Sequence, residues 1–463
     1  VVDRNYGGAE HDGFQDTFNV DVAANVAWGL ESYARKIIAN YLENYVCDDG
    51  SILYRGPETG QYGRMLTVLA EYYAATRDAD TLLDLRARID GIANLLRARR
   101  IESLELSPDD AGHGLIAGWC EADSCLEAAP ARYDVPYLSN SSEAVRGFDE
   151  MGRVWEEIGR EHALPERVEY GSALRREAAA LEADLQRAIE RTTLRESPHA
   201  CLPVVAGAGE PYDVAIRADA ADPQFRAYRA NMELLYSGCL KREQVETIVR
   251  YRESHRDVLL GVPTAYGYNS GELAGFLSYG HAYGLLQHDM VRKYLLTLYS
   301  LSAHHYTRGS WTAPETRLVD PDRLPAPYCV PAQLVVPLTV RWMLAFDDPK
   351  TQELWLCKAT PREWLQDGGV ISATGVPTRR GRVSMRIESR WNEARIVATL
   401  TLPPTDRAER AVLVLRAPVE RAISSVLVDG RPWTDFDATA GRIVLPGSLS
   451  GEIVVEANFR SGA

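Results

Sequence analysis

Acidic residues in three segments of this sequence have the type and setting needed for acid–base chemistry. Glu121 and Asp123 lie in GLIAGWCEADS, Glu272 ends YNSGE and Glu315 ends WTAPE. Two carboxyl groups with different pKa values can divide the work of hydrolysis: one donates a proton, and the other, ionised, activates water or attacks carbon. The pattern predicts such a catalytic pair among Glu121, Glu272 and Glu315.

The neighbours of these acids indicate how the roles would divide. Glu121 follows Trp119 by two residues, and partial burial beside an aromatic ring raises a carboxyl pKa, so we expect Glu121 to be the proton donor. Glu315 follows Pro314 in a loop. Glu272 starts a predicted buried helix, where the helix dipole favours an ionised carboxylate. We expect Glu315 or Glu272 to be the base.

Aromatic and polar residues in the same segments are candidates for substrate binding. The chain has 9 Trp and 23 Tyr against 8 Phe, and both of the favoured types offer a flat apolar face with a polar edge. The residues predicted to contact a substrate are Trp119, Asp123, Tyr268, His281, Tyr306, Arg308 and Trp311. We give less weight to Asp16, near a predicted pocket rim, and to Glu58 and Arg64, for which a structural role is favoured.

Composition and spacing exclude several classes of partner. The sequence has 51 Lys and Arg against 65 Asp and Glu, a net charge of −14, whereas nucleic-acid binding requires a basic surface. No run of ~20 apolar residues occurs, so no membrane partner is expected. The histidines and the seven cysteines lack metal-ligand spacing, so we expect no metal, no cofactor and no disulfide framework. The first residue is Val1, so we expect a mature or truncated chain. For the location, we expect a secreted or periplasmic protein.

Helical periodicity covers most of the chain up to residue 346. The predicted helices span 21–46, 61–76, 78–99, 142–162, 167–194, 223–239, 242–255, 271–287, 289–305 and 330–346. Residues 1–20, rich in Gly, Asp and Asn, are predicted to form a loop. Short and long links alternate between the helices, which predicts antiparallel helix pairs with every long link at one end. Long links are usually functional, so we expect the candidate acids to meet there.

The predicted helices differ in how their apolar residues are distributed. Helix 167–194 has one apolar stripe and charges on its other faces, as expected of a helix packed on one side. The stripe consists of Leu174, Ala178, Leu181, Leu185 and Ile189. Helix 271–287 has no charge after Glu272 and is apolar or small nearly all round, as expected of a buried helix. Charged helices around apolar helices predict an α/α toroid.

After residue 365 the pattern changes to short, alternating segments rich in β-branched residues. Seven such segments, from GGVISATGV to EIVVEANF, are separated by turn signals such as Asp429 and Gly430. They predict a small antiparallel β-sandwich. We therefore predict a toroid domain over 1–354 and a second domain over 355–463, in which a linker at 355–365 precedes the β-sandwich.

The order of helical pairs and then a β-sandwich resembles the six-hairpin glycosidase superfamily. The phrases YGYNSGELAGFLSYGHAYG, YTRGSWTAPE and LWLCKATPREWL are similar to the C-terminal half of bacterial proteins of that class. The resemblance covers residues 20–463 and implies an (α/α)6-type helical toroid followed by a small antiparallel β-sandwich. It also implies a carbohydrate substrate, bound where the long links converge. A complete toroid of this kind has twelve helices, whereas the sequence predicts ten.

On this basis we expect a glycoside hydrolase that cleaves an oligosaccharide or polysaccharide with the carboxylate pair. We favour inversion through an activated water, which requires the two carboxyl groups to lie ~6.5–9.5 Å apart. A toroid that binds carbohydrate without catalysis remains an alternative, because it would keep the aromatic residues and could lose the acids.

A cluster of His304, His305, Tyr306 and Arg308 in AHHYTRGSW leaves a further chemistry open. Polysaccharide lyases with toroid folds use a Tyr or His of tuned pKa to take a proton next to a uronate carboxylate, which Arg or His neutralises. The competing interpretation is that the two histidines end a helix and bond its last carbonyl groups. Hydrolysis is favoured because three acid-bearing segments support it and the net charge is acidic.

Overall fold

The computed structural model describes residues 14–53, 56, 58–195, 199–264, 272–318, 329–404 and 410–460. The α-helices in these ranges are α1 (Gln15–Ala27), α2 (Glu31–Tyr45), α3 (Thr59–Thr76), α4 (Ala79–Asp84), α5 (Arg86–Leu104), α6 (Leu138–Glu161), α7 (Pro165–Thr192), α8 (Tyr212–Ala218), α9 (Ala227–Tyr236), α10 (Arg242–Ser254), α11 (Ser278–Gln287), α12 (Val291–Ser300) and α13 (Val330–Leu344).

The strands up to residue 356 have two or three residues, and most of those after it are longer. They are β1 (Val258–Leu259), β2 (Val262–Pro263), β3 (Glu272–Ala274), β4 (Thr316–Leu318), β5 (Ala345–Asp347), β6 (Leu354–Leu356), β7 (Val370–Thr378), β8 (Gly381–Arg390), β9 (Arg395–Leu402), β10 (Ala411–Val414), β11 (Ile423–Val428), β12 (Arg431–Trp433), β13 (Phe436–Asp437), β14 (Arg442–Leu445) and β15 (Gly451–Phe459). β1 pairs with β2, and β3 pairs with β4, in two small antiparallel sheets.

Six helices form a closed inner ring. Each contacts the next in the order α1, α3, α6, α9, α11, α13, and α13 returns to α1. Every residue of α9 and α11 is buried. The helices α2, α5, α7, α10 and α12 each follow an inner helix along the chain. The predicted α/α toroid is therefore confirmed.

The predicted difference between outer and inner helices is also confirmed. The stripe predicted for the outer helix α7 is buried, with Leu174, Leu181 and Leu185 at 0% exposure, while the charged faces of that helix remain more open. Because apolar area is removed from water only along that stripe, α7 needs a packed neighbour on one side alone. The inner helix α11 has neighbours on every side.

Several predicted boundaries were wrong. The predicted helix 21–46 is two helices, separated by a turn at Gly29, whose φ of 75° favours glycine. Residues 15–20, predicted as loop, already belong to α1, because their polar side chains are buried inside the ring. The predicted helix 271–287 begins only at Ser278, and Glu272 to Ala274 form β3. Helix α8 lies in a link predicted to be a loop.

The C-terminal strands form two sheets. One has the order β13-β14-β10-β6-β5 and the other the order β12-β11-β15-β9-β8-β7. All pairs are antiparallel apart from β6 with β10. Side chains from both sheets share one apolar core, for example Leu413 and Ile443 of the first with Ile387 and Val455 of the second. The predicted β-sandwich is confirmed.

The five-stranded sheet lies between the second sheet and the toroid. Leu354 and Leu356 of β6 belong to the core of the sandwich, whereas Trp355, between them, belongs to the core of the toroid. Alternation along a strand therefore buries both faces of this sheet. Strands β5 and β6 pair into it, so strand structure of this sheet begins at 345. The domain division at 355 stays a prediction.

Two further predictions concern cysteines and membranes. All seven cysteines are free thiols, including Cys120 and Cys125. None of the described helices combines the length and the apolar character needed to span a bilayer.

The inner helices α3 and α6 approach each other backbone to backbone. A Cβ built on Gly63 would overlap the backbone of Glu143 and Ala144, and a Cβ built on Gly147 would overlap the carbonyl oxygen of Gly63. Only glycine leaves room for this contact. The spacing of the ring at this point therefore depends on two positions without a side chain.

We predict that Gly147→Ala destabilises the protein by about 1–3 kcal/mol, because the added methyl group forces the two backbones apart. The free energy of unfolding in urea measures the effect. Gly209→Ala is the matched control, since no atom lies within 4 Å of a Cβ at that position. Equal stabilities of the two variants would contradict the close packing.

Candidate active site

A buried guanidinium group lies at the centre of a cluster of carboxylates inside the ring. Arg229, on α9, is 1% exposed. Its Nη2 lies 2.6 Å from Asp16 Oδ2 and 3.4 Å from Glu58 Oε1. Its Nε lies 2.8 Å from Glu233 Oε1, and its Nη1 lies 3.8 Å from Glu121 Oε1. Four carboxyl groups thus share one arginine.

The chain brings these groups together through the ends of the inner helices. Asp16 is the second residue of α1, Glu58 directly precedes α3, and Arg229 is the third residue of α9. Long links enter α3 and α9 at these N-terminal ends, as the alternation of link lengths predicted. Free amide groups and helix dipoles at these ends favour negative charge. Glu233 lies one turn further along α9.

Burial raises the pKa of two of these carboxyl groups, those of Glu58 and Glu233. It raises the pKa of Glu58 well above its usual value; negative charge on Asp16 and Glu233 adds to the effect, and Arg229 opposes it. Burial likewise raises the pKa of Glu233 to about 8, again opposed by Arg229. Carboxyl groups this close titrate as a coupled set. Burial thus favours the protonated forms of Glu58 and Glu233 inside the cluster.

Glu121, a predicted catalytic residue, belongs to this cluster. Its Oε2 accepts hydrogen bonds from Arg226 Nη1 at 3.0 Å and from the Tyr228 hydroxyl. Arg226 also donates to Glu127 at 3.0 Å. Charge-assisted hydrogen bonds of this kind do not favour the role of proton donor that the sequence predicted for Glu121.

Trp119, predicted beside the site, is buried near the same helix ends. Its carbonyl oxygen accepts from the amide of Gly60, in the first turn of α3, at 3.2 Å. Its ring fills the space next to Gly56, where any Cβ would overlap it. Trp119 thus fixes the link that carries Glu58. Asp123 is half-buried in a short 3-10 turn, Ala122–Leu126.

A second polar layer lies one helical turn deeper in the ring. Asn19 donates to Gln61 at 2.9 Å, and Gln61 donates to Glu233. The guanidinium group of Arg64 lies between the rings of Tyr236 and Tyr279, 4.6 Å and 4.1 Å from their centroids.

Glu143 of α6 faces this layer as a further buried acid. Burial raises its pKa to about 7, and Arg64 is the strongest opposing charge. The charged groups therefore continue from the helix ends into the ring.

Glu272 and Glu315, the other predicted catalytic acids, lie at the small sheet of β3 and β4. Glu272 is the first residue of β3 and not of a buried helix, so the helix-dipole argument for it was wrong. Glu315 directly precedes β4, and its carbonyl oxygen accepts from the amide of Phe276 at 3.4 Å. Both side chains are half-buried. The structure thus groups these two acids on one sheet and groups Glu121 with Arg229.

Two buried histidines and the tyrosine of the elimination hypothesis have surroundings typical of residues that stabilise the fold. His281 is buried on α11, and burial, with Arg252 and Lys293, lowers its pKa to about 3. His305 Nε2 contacts the carbonyl oxygen of Pro314 at 2.6 Å, and burial lowers its pKa to about 4. The buried Tyr306 hydroxyl donates to backbone carbonyl groups of α13, and burial raises its pKa. These contacts do not favour a proton-abstracting base.

The remaining predicted residues lie on the surface or outside the described ranges. Arg308 is exposed in a turn. Trp311 is 55% exposed and has a φ of 53°, a left-handed conformation that is uncommon for tryptophan. His304 is exposed at the end of a π-helical turn, Leu301–His305, as its predicted helix-terminal position requires. Tyr268 lies outside the described residues.

Sequence reasoning missed Arg229, Glu233 and Glu143. A signal was present in AYRANMELLY, where an arginine and a glutamate stand four residues apart in a segment that otherwise resembles a buried helix. A charge pair on such a helix must be satisfied inside the protein. Among the described residues, no group of His, Cys, Asp and Glu has the arrangement of a metal site.

Solved structures with a similar fold were found, although no protein-family model and no curated protein matches the sequence. The α-L-rhamnosidase from Dictyoglumus thermophilum aligns with a TM-score of 0.51 and 10% identity, over 96% of this chain and 46% of that chain. This chain thus spans less than half the length of that protein.

Two other solved structures align with lower scores. A GH127 β-L-arabinofuranosidase from Geobacillus Stearothermophilus T6 aligns with a TM-score of 0.41 and 11% identity, over 97% of this chain and 81% of that chain. Cellobiose 2-epimerase from Spirochaeta thermophila aligns with a TM-score of 0.37 and 13% identity, over 70% and 85%. The ring of inner helices, the outer helices and the C-terminal sheets give this chain the six-hairpin glycosidase fold, an (α/α)6-type toroid followed by a β-sandwich.

Proposed function

We propose that this protein hydrolyses glycosidic bonds, with Glu58 as the proton donor and Asp16 as the ionised carboxylate. One observation carries the proposal: Asp16 and Glu58 lie 2.6 and 3.4 Å from the same nitrogen of Arg229 at the N-terminal ends of inner helices, and burial raises the pKa of Glu58. Glycosidic hydrolysis needs one protonated and one ionised carboxyl group at the same bond. The glycosidase-type fold is consistent with such a reaction, although fold alone does not fix it.

Glu58 has the properties of a donor. Neither of its carboxylate oxygens has a hydrogen-bond partner among the described residues, and its side chain is 1% exposed. Burial raises its pKa well above the usual value, which favours the protonated form that a donor needs. Glu58 would give this proton to the glycosidic oxygen as the bond breaks, so that the leaving group departs as an alcohol.

Asp16 has the properties of the ionised partner. Its Oδ2 accepts a hydrogen bond from Arg229 Nη2 at 2.6 Å. Positive charge develops on the sugar ring as the bond breaks, and a nearby carboxylate stabilises that charge. Arg229 supports the division of labour, because its cation favours the ionised form of the carboxylate that it binds most closely.

The spacing of the two acids favours direct attack by Asp16. Asp16 Oδ2 and Glu58 Oε1 lie 2.6 and 3.4 Å from the same nitrogen. These two oxygens are therefore separated by at most about 6 Å, closer to the ~5–5.5 Å of retaining enzymes than to the ~6.5–9.5 Å of inverting ones. We accordingly propose retention of configuration in place of the inversion expected from the sequence.

Other predicted residues keep supporting roles in the proposal. Glu121, held by Arg226 and Tyr228, orients Arg229. Glu272 and Glu315 are proposed as acids that bind hydroxyl groups of a longer substrate. Trp311 is exposed in the long link between α12 and α13, and its ring offers a flat face for a sugar ring.

We predict that Glu58→Gln lowers turnover by about 10²–10⁴-fold, because the amide cannot donate the proton. The measurement is release of reducing sugar from a panel of neutral and uronate-containing glycans, with absorbance of unsaturated uronate recorded in parallel. Glu127→Gln is the control, since Glu127 contacts Arg226 at the rim of the cluster. A fully active Glu58→Gln variant would remove Glu58 as the donor, and unsaturated products would show elimination.

We further predict that the first sugar released keeps the anomeric configuration of the substrate. Attack by Asp16 and then by water gives two inversions and therefore net retention. Proton NMR during the first minutes of reaction distinguishes the anomers before they equilibrate. Release of the opposite anomer would show that water, and not Asp16, attacks the sugar.

The raised pKa of Glu233 also predicts how the free energy of unfolding depends on pH. Glu233 has a pKa of about 8 when folded and an ordinary value when unfolded, so the folded state binds the proton more tightly. The free energy of unfolding should fall as pH rises from about 5 to 8, by up to about 1.4 kcal/mol per pH unit. Urea unfolding of Glu233→Gln should show a flatter dependence. The exposed Glu253→Gln serves as the control, and parallel curves for all three proteins would contradict the raised pKa.

A further inference from the structure

Three arginines from different elements lie together where the toroid meets the C-terminal domain. Arg292 is the second residue of α12, Arg362 begins the 3-10 turn Arg362–Leu365, and Arg416 lies in the link between β10 and β11. Arg362 Nη1 donates to the carbonyl oxygen of Ala417 at 2.7 Å, so Arg362 packs against the link that carries Arg416. We call Arg292, Arg362 and Arg416 the arginine cluster.

One exposed acid contacts two members of the arginine cluster. Glu420 Oε1 lies 3.4 Å from Arg292 Nη2 and 3.9 Å from Arg362 Nη2. Both distances exceed the ~2.7–2.9 Å of a charge-assisted hydrogen bond. The Glu420 side chain is 73% exposed, so water screens its charge. Glu420 therefore neutralises the two arginines only weakly.

Arg416 has no acid of its own. In the described part of the chain no ion pair joins it to a carboxylate, and its Nε, which is buried, has no hydrogen-bond partner. Burial lowers the pKa of its guanidinium group; the positive charges of Arg362 and Arg292 add to the effect, and Asp289 and Glu420 oppose it. A half-buried cation next to two like charges is unfavourable unless an anion joins them.

The nearby Asp289 cannot supply that anion, because two other cations already share it. Asp289 Oδ2 lies 2.8 Å from Arg442 Nη2, and Asp289 Oδ1 lies 3.6 Å from Lys358 Nζ. Asp348 also acts on the buried Lys358. The cations in these contacts thus outnumber the acids, although the whole sequence carries a net charge of −14.

The number and origin of the guanidinium groups identify the chemistry of the ligand. Each guanidinium group presents its N–H donors as a planar fork that fits two acceptor oxygens. A carboxylate has only two oxygens, which one fork can occupy. Three forks from three elements need more oxygens, in several directions, and a tetrahedral phosphate or sulfate group provides them.

The arginine cluster is separate from the proposed active site. Arg292 follows the C-terminal end of α11 along the chain, whereas the proposed acids lie at the N-terminal ends of inner helices. The ten residues of α11 place about 15 Å between its two ends. An anion at the arginine cluster therefore cannot take part in chemistry at Glu58 and Asp16.

We propose that the arginine cluster binds a tetrahedral oxyanion, phosphate or sulfate, and thereby joins α12 to the C-terminal domain. The proposal goes beyond the hydrolysis proposed above and does not depend on it. The anion binds in place of the weak contacts of Glu420 and supplies the counter-charge that Arg416 lacks. Because it binds only where the folded chain brings the three arginines together, it raises the stability of the folded state.

Two arginine variants test the proposal. Arg416→Gln removes one fork, and Arg386→Gln is the matched control, since the exposed Arg386 lies on β8 and pairs with Glu388 at 2.6 Å. Sodium phosphate and sodium sulfate are titrated into the wild type and both variants by calorimetry, and melting temperatures are recorded at an ionic strength matched with sodium chloride. Without either anion, Arg416→Gln should melt at the same or a higher temperature, because a like charge is removed.

The expected result is that one oxyanion binds the wild type and Arg386→Gln equally, raises their melting temperatures, and binds Arg416→Gln roughly 10- to 100-fold more weakly. Sodium acetate should have no such effect. A comparison of dextran sulfate with dextran and with free sulfate shows whether the group is bound as an ester on a glycan or as a free ion. Equal affinities in all three proteins, acetate binding as tight as that of phosphate, or a lower melting temperature of Arg416→Gln without anions would overturn the inference.

Discussion

The contact of Arg229 with four carboxyl groups is the interaction on which the rest of the site depends. A buried guanidinium group is stable only when acids surround it, and acids this numerous cannot all be ionised around one cation. Burial raises the pKa of Glu58 and of Glu233, which favours protonation of these two acids. In the proposed mechanism, this electrostatic constraint provides an acid and a base from residues of the same chemical type. It also fixes α1, α3 and α9 relative to one another at their N-terminal ends.

The toroid can hold a polar interior and remain stable because its apolar contacts and its charged groups lie in different places. Apolar stripes such as that of α7 bury area between the outer and inner helices. Charged groups occupy the axis, where each must be paired or hydrogen-bonded to offset its burial. Close approach at Gly63 and Gly147 draws α3 and α6 together, which keeps the axial groups within reach of each other. The ion pair of Arg379 with Glu150 then joins the helix α6 to the C-terminal domain.

The sequence contained enough information to predict the architecture and part of the site. Periodicity and link length predicted the helix pairs, the buried and surface helices and the end where the long links meet, since these depend on local patterns. The strand pattern after residue 365 predicted the sandwich for the same reason. Glu121 was proposed because partial burial beside Trp119 raises a carboxyl pKa, and the structure places Glu121 near Arg229. The π-helical turn and β3 were missed because tertiary contacts decided their conformation against local propensity.

The start of α1 and the centre of the site could not be predicted in the same way. Gln15, Asp16 and Asn19 are polar, and a polar segment near a terminus is usually a loop, yet here these side chains face the ring interior. The roles of Arg229 and Glu233 depend on groups more than a hundred residues away in the sequence, which local patterns cannot reveal. His305 and Tyr306 illustrate the converse, because their reactive types suggested chemistry whereas their burial and backbone partners are typical of residues that stabilise the fold.

Infrared difference spectroscopy of the wild type against Glu58→Gln at neutral pH tests the central claim most directly, since protonated and ionised carboxyl groups absorb at different frequencies. The account predicts that the substitution removes a band of a protonated carboxyl group. Loss of a carboxylate band instead would show that Glu58 is ionised in the folded protein, and would contradict both the division of roles around Arg229 and the mechanism built on it.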